Sequence, residues 1–415
     1  LQSQTIRSLV TIAALLPLIG CGRLFGSGTN TDLGQGTPPP SAFGYAVADE
    51  PQAALVARQI LNAGGNAADA AAAEGFALAV TLPSRAGLGG GGACIVKVPD
   101  SKGHFQPPVA ILFPPGAPAS NGGDRPAAVP SLARGLLVLE ARFGSMPFSS
   151  IIAPAERLAG GVAVSPALES DLSVVGNALL ADPAAAQVFA NPSGEVLQAG
   201  DNLSQPDLVS TFEILRTQGI LGFYQGSFPD QFTTAANQAG ADLSDADISA
   251  ALPQIVQPLI GQAGSYQTAS LPYGDSNDPR ILPASAAFAA VDKNGGVVAC
   301  AVTMNNLFGT GRIAPGTGIL LAASPTGLPV PELRAAIAYR PGDGTFRAAA
   351  TGTGQQEAPA AVAAGLATAL GKTPVQAPDP GRTNIISCPG GVPGGEATCT
   401  ASADPRGQGL AIGGR

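Results

Sequence analysis

The chain has 415 residues, 45% of them hydrophobic and only 12% charged, with 55 Gly, 38 Pro and a formal net charge of −8. That length buries a substantial core in one large domain or two ordinary ones. The acidic balance, without a Lys/Arg run longer than two, argues against nucleic acid, whose binding depends on clustered cations. One histidine, and five cysteines without a Cys-x-x-Cys pair, give no basis for a zinc or other metal site.

Arg7 precedes an apolar run from Leu9 to Gly20 that ends in Leu18-Ile19-Gly20-Cys21. The run is too short to span a bilayer and suits a signal-peptide core over residues 1–20. Its ending resembles a lipobox, which makes Cys21 the lipidation site; an ordinary signal peptide with an accidental cysteine is the alternative. Residues 21–40 are rich in Gly, Ser, Thr and Pro, as a flexible tether is. The expected location is the bacterial cell envelope, as a periplasm-facing lipoprotein that meets the membrane through the lipid on Cys21.

From Pro51 the sequence predicts helix, turn, helix. Leu55, Val56, Ile60 and Leu61 form an apolar face, Gly64-Gly65 breaks it, and Asn66 caps an Ala-rich helix running towards Val80 with Asp69 in its first turn. Gly87 to Gly92 then satisfies G-x-G-x-x-G literally. The dinucleotide fingerprint follows a strand and opens a helix, whereas here the order is helix, glycines, strand (Ala93 to Val98), so the run reads as a tight turn allowing close backbone approach. His104, in the polar stretch Ser101 to Phe105, reads as a solvated loop residue rather than a general base.

Ser131 is placed to cap a helix to Arg142, Pro147 to begin another through Leu158, and Pro206 to Gln218 is amphipathic. Ser244 to Asp247 resembles a further helix start. Phe288 to Val291 and Val297 to Thr303 read as strands joined by the turn Asp292 to Gly295. Gly318 to Leu321 and Phe346 to Ala350 are short strand candidates, and Pro359 to Leu370 is a helix. Helices, then a hairpin-based sheet, then helices make an α+β layered pattern. Cys94 and Cys300 lie in apolar runs and read as plain buried cysteines. Cys388 and Cys399 flank a Pro/Gly-rich loop and are a disulfide candidate in an oxidising compartment, although spacing alone does not establish the geometry.

Several blocks together resemble γ-glutamyltransferases: Gln59 to Gly92, Val129-Pro130-Ser131, Phe143 to Ala159, Gln205 to Gly226, Val291 to Gly295, Asn305 to Gly311, Pro315 to Leu321, and Ala403-Asp404-Pro405-Arg406. The resemblance implies a four-layer αββα sandwich of the N-terminal-nucleophile hydrolase type. It also implies a chain that cuts itself into a large region (41–284) and a small region (285–415), which remain associated within one composite domain. The new N-terminal residue is the nucleophile and its α-amine, with a pKa near ~8, the base; no cofactor is needed. The substrate class implied is a small amide or peptide.

Counting back from Val291-Asp292 puts the family's Thr-Thr-His start on Ser285-Ala286-Ala287, so cleavage falls between Ala284 and Ser285 and the nucleophile is serine. Thr303 matches the threonine that hydrogen-bonds the nucleophile, and Asn305 the asparagine at the substrate amino group. The paired oxyanion glycines fall on Gln355-Gln356. The arginine for the glutamyl carboxylate falls on Pro114, which carries no charge and no N–H. The Asp-Asp pair falls near Thr326-Gly327, and the paired serines on Arg334 to Ala336. These departures point to an amidohydrolase or acyltransferase with acyl specificity altered from γ-glutamyl. The alternatives are an inactive relative kept as an envelope binding or structural lipoprotein, and true γ-glutamyl activity with a cation supplied near Pro114 by Arg85, Arg125 or Arg312.

Overall fold

The computed structural model describes residues 44–274, 282, 284–373 and 376–414. The signal-like run, the tether and Cys21 lie outside the described residues.

Two antiparallel sheets form the centre. The seven-stranded sheet runs Leu410–Gly414, Gly44–Ala48, Ser285–Asp292, Val297–Thr303, Gly91–Lys97, Val109–Phe113, Gln254–Val256. The six-stranded sheet runs Thr400–Ser402, Arg382–Val392, Phe346–Thr353, Arg334–Tyr339, Tyr266–Ser270, Leu259–Ala263. Strands from before and after residue 285 pair with one another in both sheets.

Strand alternation sorts the small side chains into layers. Ala289, Val291, Ala299 and Ala301 of the first sheet pack with Ala335, Ile337 and Ala349 of the second in one buried cluster between the sheets. Ala286, Phe288, Ala290, Val298 and Val302 face the other way, into a cluster shared with the N-terminal helices. Helix Ala67–Thr81, largely alanine, lies in that outer layer with all 15 residues buried, Asp69 and Glu74 among them. Helix Ala358–Ala369 covers Ala336, Ala350 and Ala338 on the outer face of the second sheet. The layers are therefore αββα. Alanines at many of the facing positions, interleaved with larger side chains such as Ile337, Tyr339 and Phe346, fill the space between the sheets.

Local signals act as expected at several helix ends. Asn66 Oδ1 accepts from Asp69 N (3.0 Å) and Asp69 Oδ2 from Asn66 N (2.8 Å), a capping box that satisfies two orphan donors. Ser244 and Asp247 form a second box. The Asp292 turn closes the central hairpin, with Asp292 Oδ1 accepting from Asn294 N and Gly296 N (2.8 and 3.0 Å). The helix expected to stop at Gln218 continues to Tyr224, but Gly219, at φ 63°, breaks its helical geometry at the expected boundary.

Two expectations are corrected. Ser131 starts a helix (Leu132–Phe143) without capping it; its hydroxyl is spent on the carbonyls of Phe113 and Pro114 at 2.5 and 2.8 Å. Cys94 and Cys300 are buried, yet they are disulfide-bonded to each other, because the antiparallel register sets Cys300 directly opposite Cys94 with Cα atoms 4.1 Å apart. Cys388 and Cys399 form a second disulfide. Strand Gly91–Lys97 also begins two residues before the expected start, taking in the last two glycines.

Candidate active site at Ser285

Ser285 opens the strand Ser285–Asp292 and is 6% exposed. Its register partner on one side is Thr303, whose own partner beyond is Gly91, so the row Ser285–Thr303–Gly91 crosses the end of the sheet. Glycine is required at this crossing: a Cβ on Gly91 would collide with the Phe113 carbonyl and the Ser131 hydroxyl. The glycine run thus serves close backbone approach. The Gly90 carbonyl also accepts from Ser131 N and Leu132 N (2.9 and 3.0 Å), which locks the turn to the next helix.

The peptide before Ser285 is held by specific donors. Thr303 Oγ1 donates to the Ala284 carbonyl at 2.7 Å, and Met304 N donates to the same oxygen at 3.2 Å. Thr303 Oγ1 in turn accepts from Asn305 N at 2.9 Å. Two residues further back, the Leu282 carbonyl accepts from Gln355 Nε2. The carbonyl of Ala284 therefore carries two donors in the place where negative charge would develop if Ser285 Oγ attacked it.

Ser285 opens on a cavity of about 220 Å³ whose wall also includes Asp49, Arg85, Thr353, Gln355 and Arg382. Gln355 is buried at φ 51°, directly after Gly354 at φ 106°; a Cβ on Gly354 would come within 2.6 Å of Gly381 Cα. The turn opens the short helical segment Gln355–Glu357, and the first N–H groups of such a segment lack intrahelical acceptors. Gln356 is exposed and stands outside the cavity wall.

Asn305 is buried at φ 60° and sits behind Thr303, its Nδ2 donating to the Ala323 carbonyl at 2.9 Å; it is not on the cavity wall. Pro114 lies at the end of the neighbouring strand with its carbonyl facing Ser131. Thr326-Gly327 is an exposed loop, and His104 is exposed, 3.8 Å from Asp100. Of the three arginines named from the sequence, Arg85 lines the Ser285 cavity. Arg125 and Arg312 line a separate hollow with Asn306 to Gly311, and Arg312 pairs with Asp124.

Reasoning from the sequence named Arg85 and the block that carries Asp404 and Arg406, but missed Asp49, Arg382 and Asn384 on the wall. Asp49 Oδ2 accepts from Ala287 N (2.8 Å) and its Oδ1 from Asn384 Nδ2 (2.7 Å). Burial raises the Asp49 carboxyl above its ordinary pKa, against the pull of Arg85 and of these hydrogen bonds. Arg85 is gripped by Asp171 through Nε (2.7 Å) and Nη2 (2.5 Å), with Ser84 Oγ adding 2.6 Å to the same carboxylate. Burial works to lower the Arg85 pKa, but Asp171 and Asp49 together raise it. On the far wall, Asp404 is held by the guanidinium of Arg406 at 2.8 and 3.0 Å. These residues are separated by up to hundreds of positions, and no local pattern marks Asp49, Arg382 or Asn384. Among the described residues no cluster of three His, Cys, Asp or Glu side chains has the makings of a metal site.

Comparison with known proteins fits this geometry. Residues 53–278 match the family model described as Gamma-glutamyltranspeptidase. The chain is 29% identical over 264 residues to the glutathione hydrolase proenzyme of Escherichia coli (strain K12), covering 59% of this chain and 45% of that protein. It is 28% identical over 265 residues to the Acylase ACY 1 proenzyme of Pseudomonas sp. (strain V22), covering 59% and 47%. The chain thus spans under half the length of these curated relatives. In three dimensions it resembles the cephalosporin acylase from Bacillus halodurans, with a TM-score of 0.72 at 17% identity over 91% of this chain and 98% of that one. That likeness establishes the shared fold.

Proposed function

Because the chain belongs to the gamma-glutamyltranspeptidase family, we propose that it is a self-cleaving amidohydrolase or acyltransferase with Ser285 as nucleophile. The observation that carries this is the pair of donors, Thr303 Oγ1 and Met304 N, on the Ala284 carbonyl, one bond before a serine that opens on a cavity.

In processing, Ser285 Oγ adds to the Ala284 carbonyl carbon. The oxyanion forms on the oxygen already held by Thr303 and Met304. The C–N bond breaks, the Ser285 nitrogen takes the proton, and an ester joins Ala284 to Ser285 Oγ. One water then hydrolyses that ester, leaving the Ala284 carboxylate and a Ser285 that carries both a free hydroxyl and a free α-amine. In turnover the amine accepts the hydroxyl proton as Oγ attacks a substrate acyl carbonyl. The N–H at Gln355, on the cavity wall, is the proposed donor to the second oxyanion; Gln356, paired with it in the sequence reading, stands outside that wall. The acyl-enzyme is resolved by water or by an amine acceptor.

Acyl specificity altered from γ-glutamyl is part of the proposal. Pro114 offers no cation, and Arg85, the guanidinium on the cavity wall nearest in sequence to the glycine turn, already commits Nε and Nη2 to Asp171. The envelope location is proposed on the residues of the lipobox-like run, and two disulfides suit an oxidising compartment.

The test is a time course of intact mass, after reduction, on the full chain and on Ser285→Ala. Two fragments with Ser285 at the new N-terminus, absent in the variant, support the proposal, and a screen of amide substrates follows. A wild-type chain that stays whole on prolonged incubation has no free α-amine at Ser285 and defeats it.

A further inference from the structure

We propose that the Cys94–Cys300 disulfide covalently joins the two fragments of the processed chain; this rests on the self-cleavage before Ser285 proposed above. The two cysteines are 206 positions apart in sequence and lie on opposite sides of residue 285. A cut at Ala284–Ser285 leaves Cys94 in the N-terminal fragment and Cys300 in the C-terminal one. The cut consumes one water and changes no oxidation state, so the S–S bond is untouched. The other disulfide, Cys388–Cys399, lies wholly within the C-terminal fragment and joins nothing across the cut.

The position of the link matters as much as its existence. It connects the strands Val297–Thr303 and Gly91–Lys97 at the register pair Cys300–Cys94, three residues from the pair Thr303–Gly91 in the row that carries Ser285. Before cleavage, chain connectivity and strand pairing both hold that row. After cleavage the backbone connection is lost, and the pairing of these strands becomes an interface between two polypeptides. A covalent link within the strand pair keeps re-pairing intramolecular, at the high effective concentration of a short tether, and in the register that sets Thr303 opposite Ser285. Both cysteines are fully buried, on the side of the sheet that faces the helices. A reductant therefore reaches the bond only when that layer opens.

The experiment is to process the full chain, quench free thiols with an alkylating agent, and measure intact mass in denaturant with and without reductant. Without reductant the expected result is one species with the mass of the whole chain plus one water and one alkyl group on Cys21, the cysteine outside both disulfides. With reductant it resolves into two, and sequencing finds Ser285 at one new N-terminus. Cys300→Ser is expected to release two fragments without reductant, whereas Cys399→Ser leaves them joined. Wild-type fragments that part in denaturant without reductant overturn the tether. Failure of self-cleavage is read separately, as absence of a Ser285 N-terminus in the reduced sample. In that event a second chain, with a sequence-specific protease site inserted in the exposed turn Gly264–Ser265 between the two cysteines, is cut by the protease instead. The same two arms then decide the tether, because any cut between Cys94 and Cys300 yields fragments that only this bond connects.

Discussion

The hydroxyl of Thr303 donates to the carbonyl of Ala284 at 2.7 Å, across the register pair formed by Thr303 and Ser285. The threonine thus touches the peptide bond before Ser285 rather than the Ser285 side chain, the arrangement that the proposed attack of Ser285 on its own backbone calls for. Asn305 N anchors the same hydroxyl from behind. The donor is thereby fixed before any charge develops, which is the condition for useful oxyanion stabilisation.

Replacing Thr303 by Val keeps the shape and removes that donor, leaving Met304 N alone on the oxygen. Self-cleavage is expected to slow by about 10²–10³-fold, the usual effect of losing one oxyanion donor. Thr303→Ser restores the hydroxyl and most of the rate. The measurement is the first-order rate of appearance of the Ser285 N-terminus, with thermal unfolding run alongside; equal rates for Val and wild type refute the assignment.

Arg85 and Asp171 form a bidentate pair, with the Asp171 side chain 2% exposed. Arg85→Met leaves a buried carboxylate with Ser84 as its remaining side-chain donor, at an expected cost of about 3–5 kcal/mol. Adding Asp171→Leu removes the orphaned charge and should recover much of the loss. Urea unfolding of the two single variants and the double variant measures this; additive losses would show that the pair is not coupled.

Glu74 lies in the middle of the buried helix Ala67–Thr81, fully enclosed, and among the described residues neither carboxyl oxygen has a hydrogen-bond partner. Burial pushes its pKa well above the usual carboxylate value and favours the neutral acid in the folded protein. Between the unfolded value of about 4.3 and the raised folded value, the folded state binds the extra proton. The contribution to stability is therefore full at acid pH and falls as pH rises through that window. Glu74→Met is expected to raise stability at pH 7 and to flatten this slope in unfolding experiments from pH 4 to 8.

Lys97 shows the opposite sign. Its ammonium is buried with no hydrogen-bond partner among the described residues, 3.9 Å above the Phe105 ring and 4.9 Å from that of Tyr339. Burial lowers its pKa to about 8. Between that value and the unfolded value of about 10.4 the unfolded chain binds the extra proton, so this residue's contribution makes stability increase with pH across the interval. Lys97→Met is expected to remove the increase and to be the more stable form at pH 7. A wild-type curve no steeper than the variant's from pH 8 to 10 would count against it.

What the sequence by itself determined was local. The Asn66 and Ser244 capping boxes, the Asp292 turn and the glycine crossing at Gly91 follow from interactions within a few residues, or from the absence of a side chain, and they survive unchanged in the fold. The two strands read from the sequence also set Ser285 opposite Thr303, because the turn between them fixes which residues pair. What only the tertiary structure decided was everything set by strand order. Gly44–Ala48 inserts beside Ser285–Asp292 and so carries Asp49 to Ala287, while the second sheet brings Asn384 and Arg382 to the same cavity. Two apolar runs that each read as an ordinary buried cysteine became a disulfide pair for the same reason. Pairing across 206 residues depends on the order and register of strands, which the collective packing of two sheets selects and no short stretch of sequence encodes.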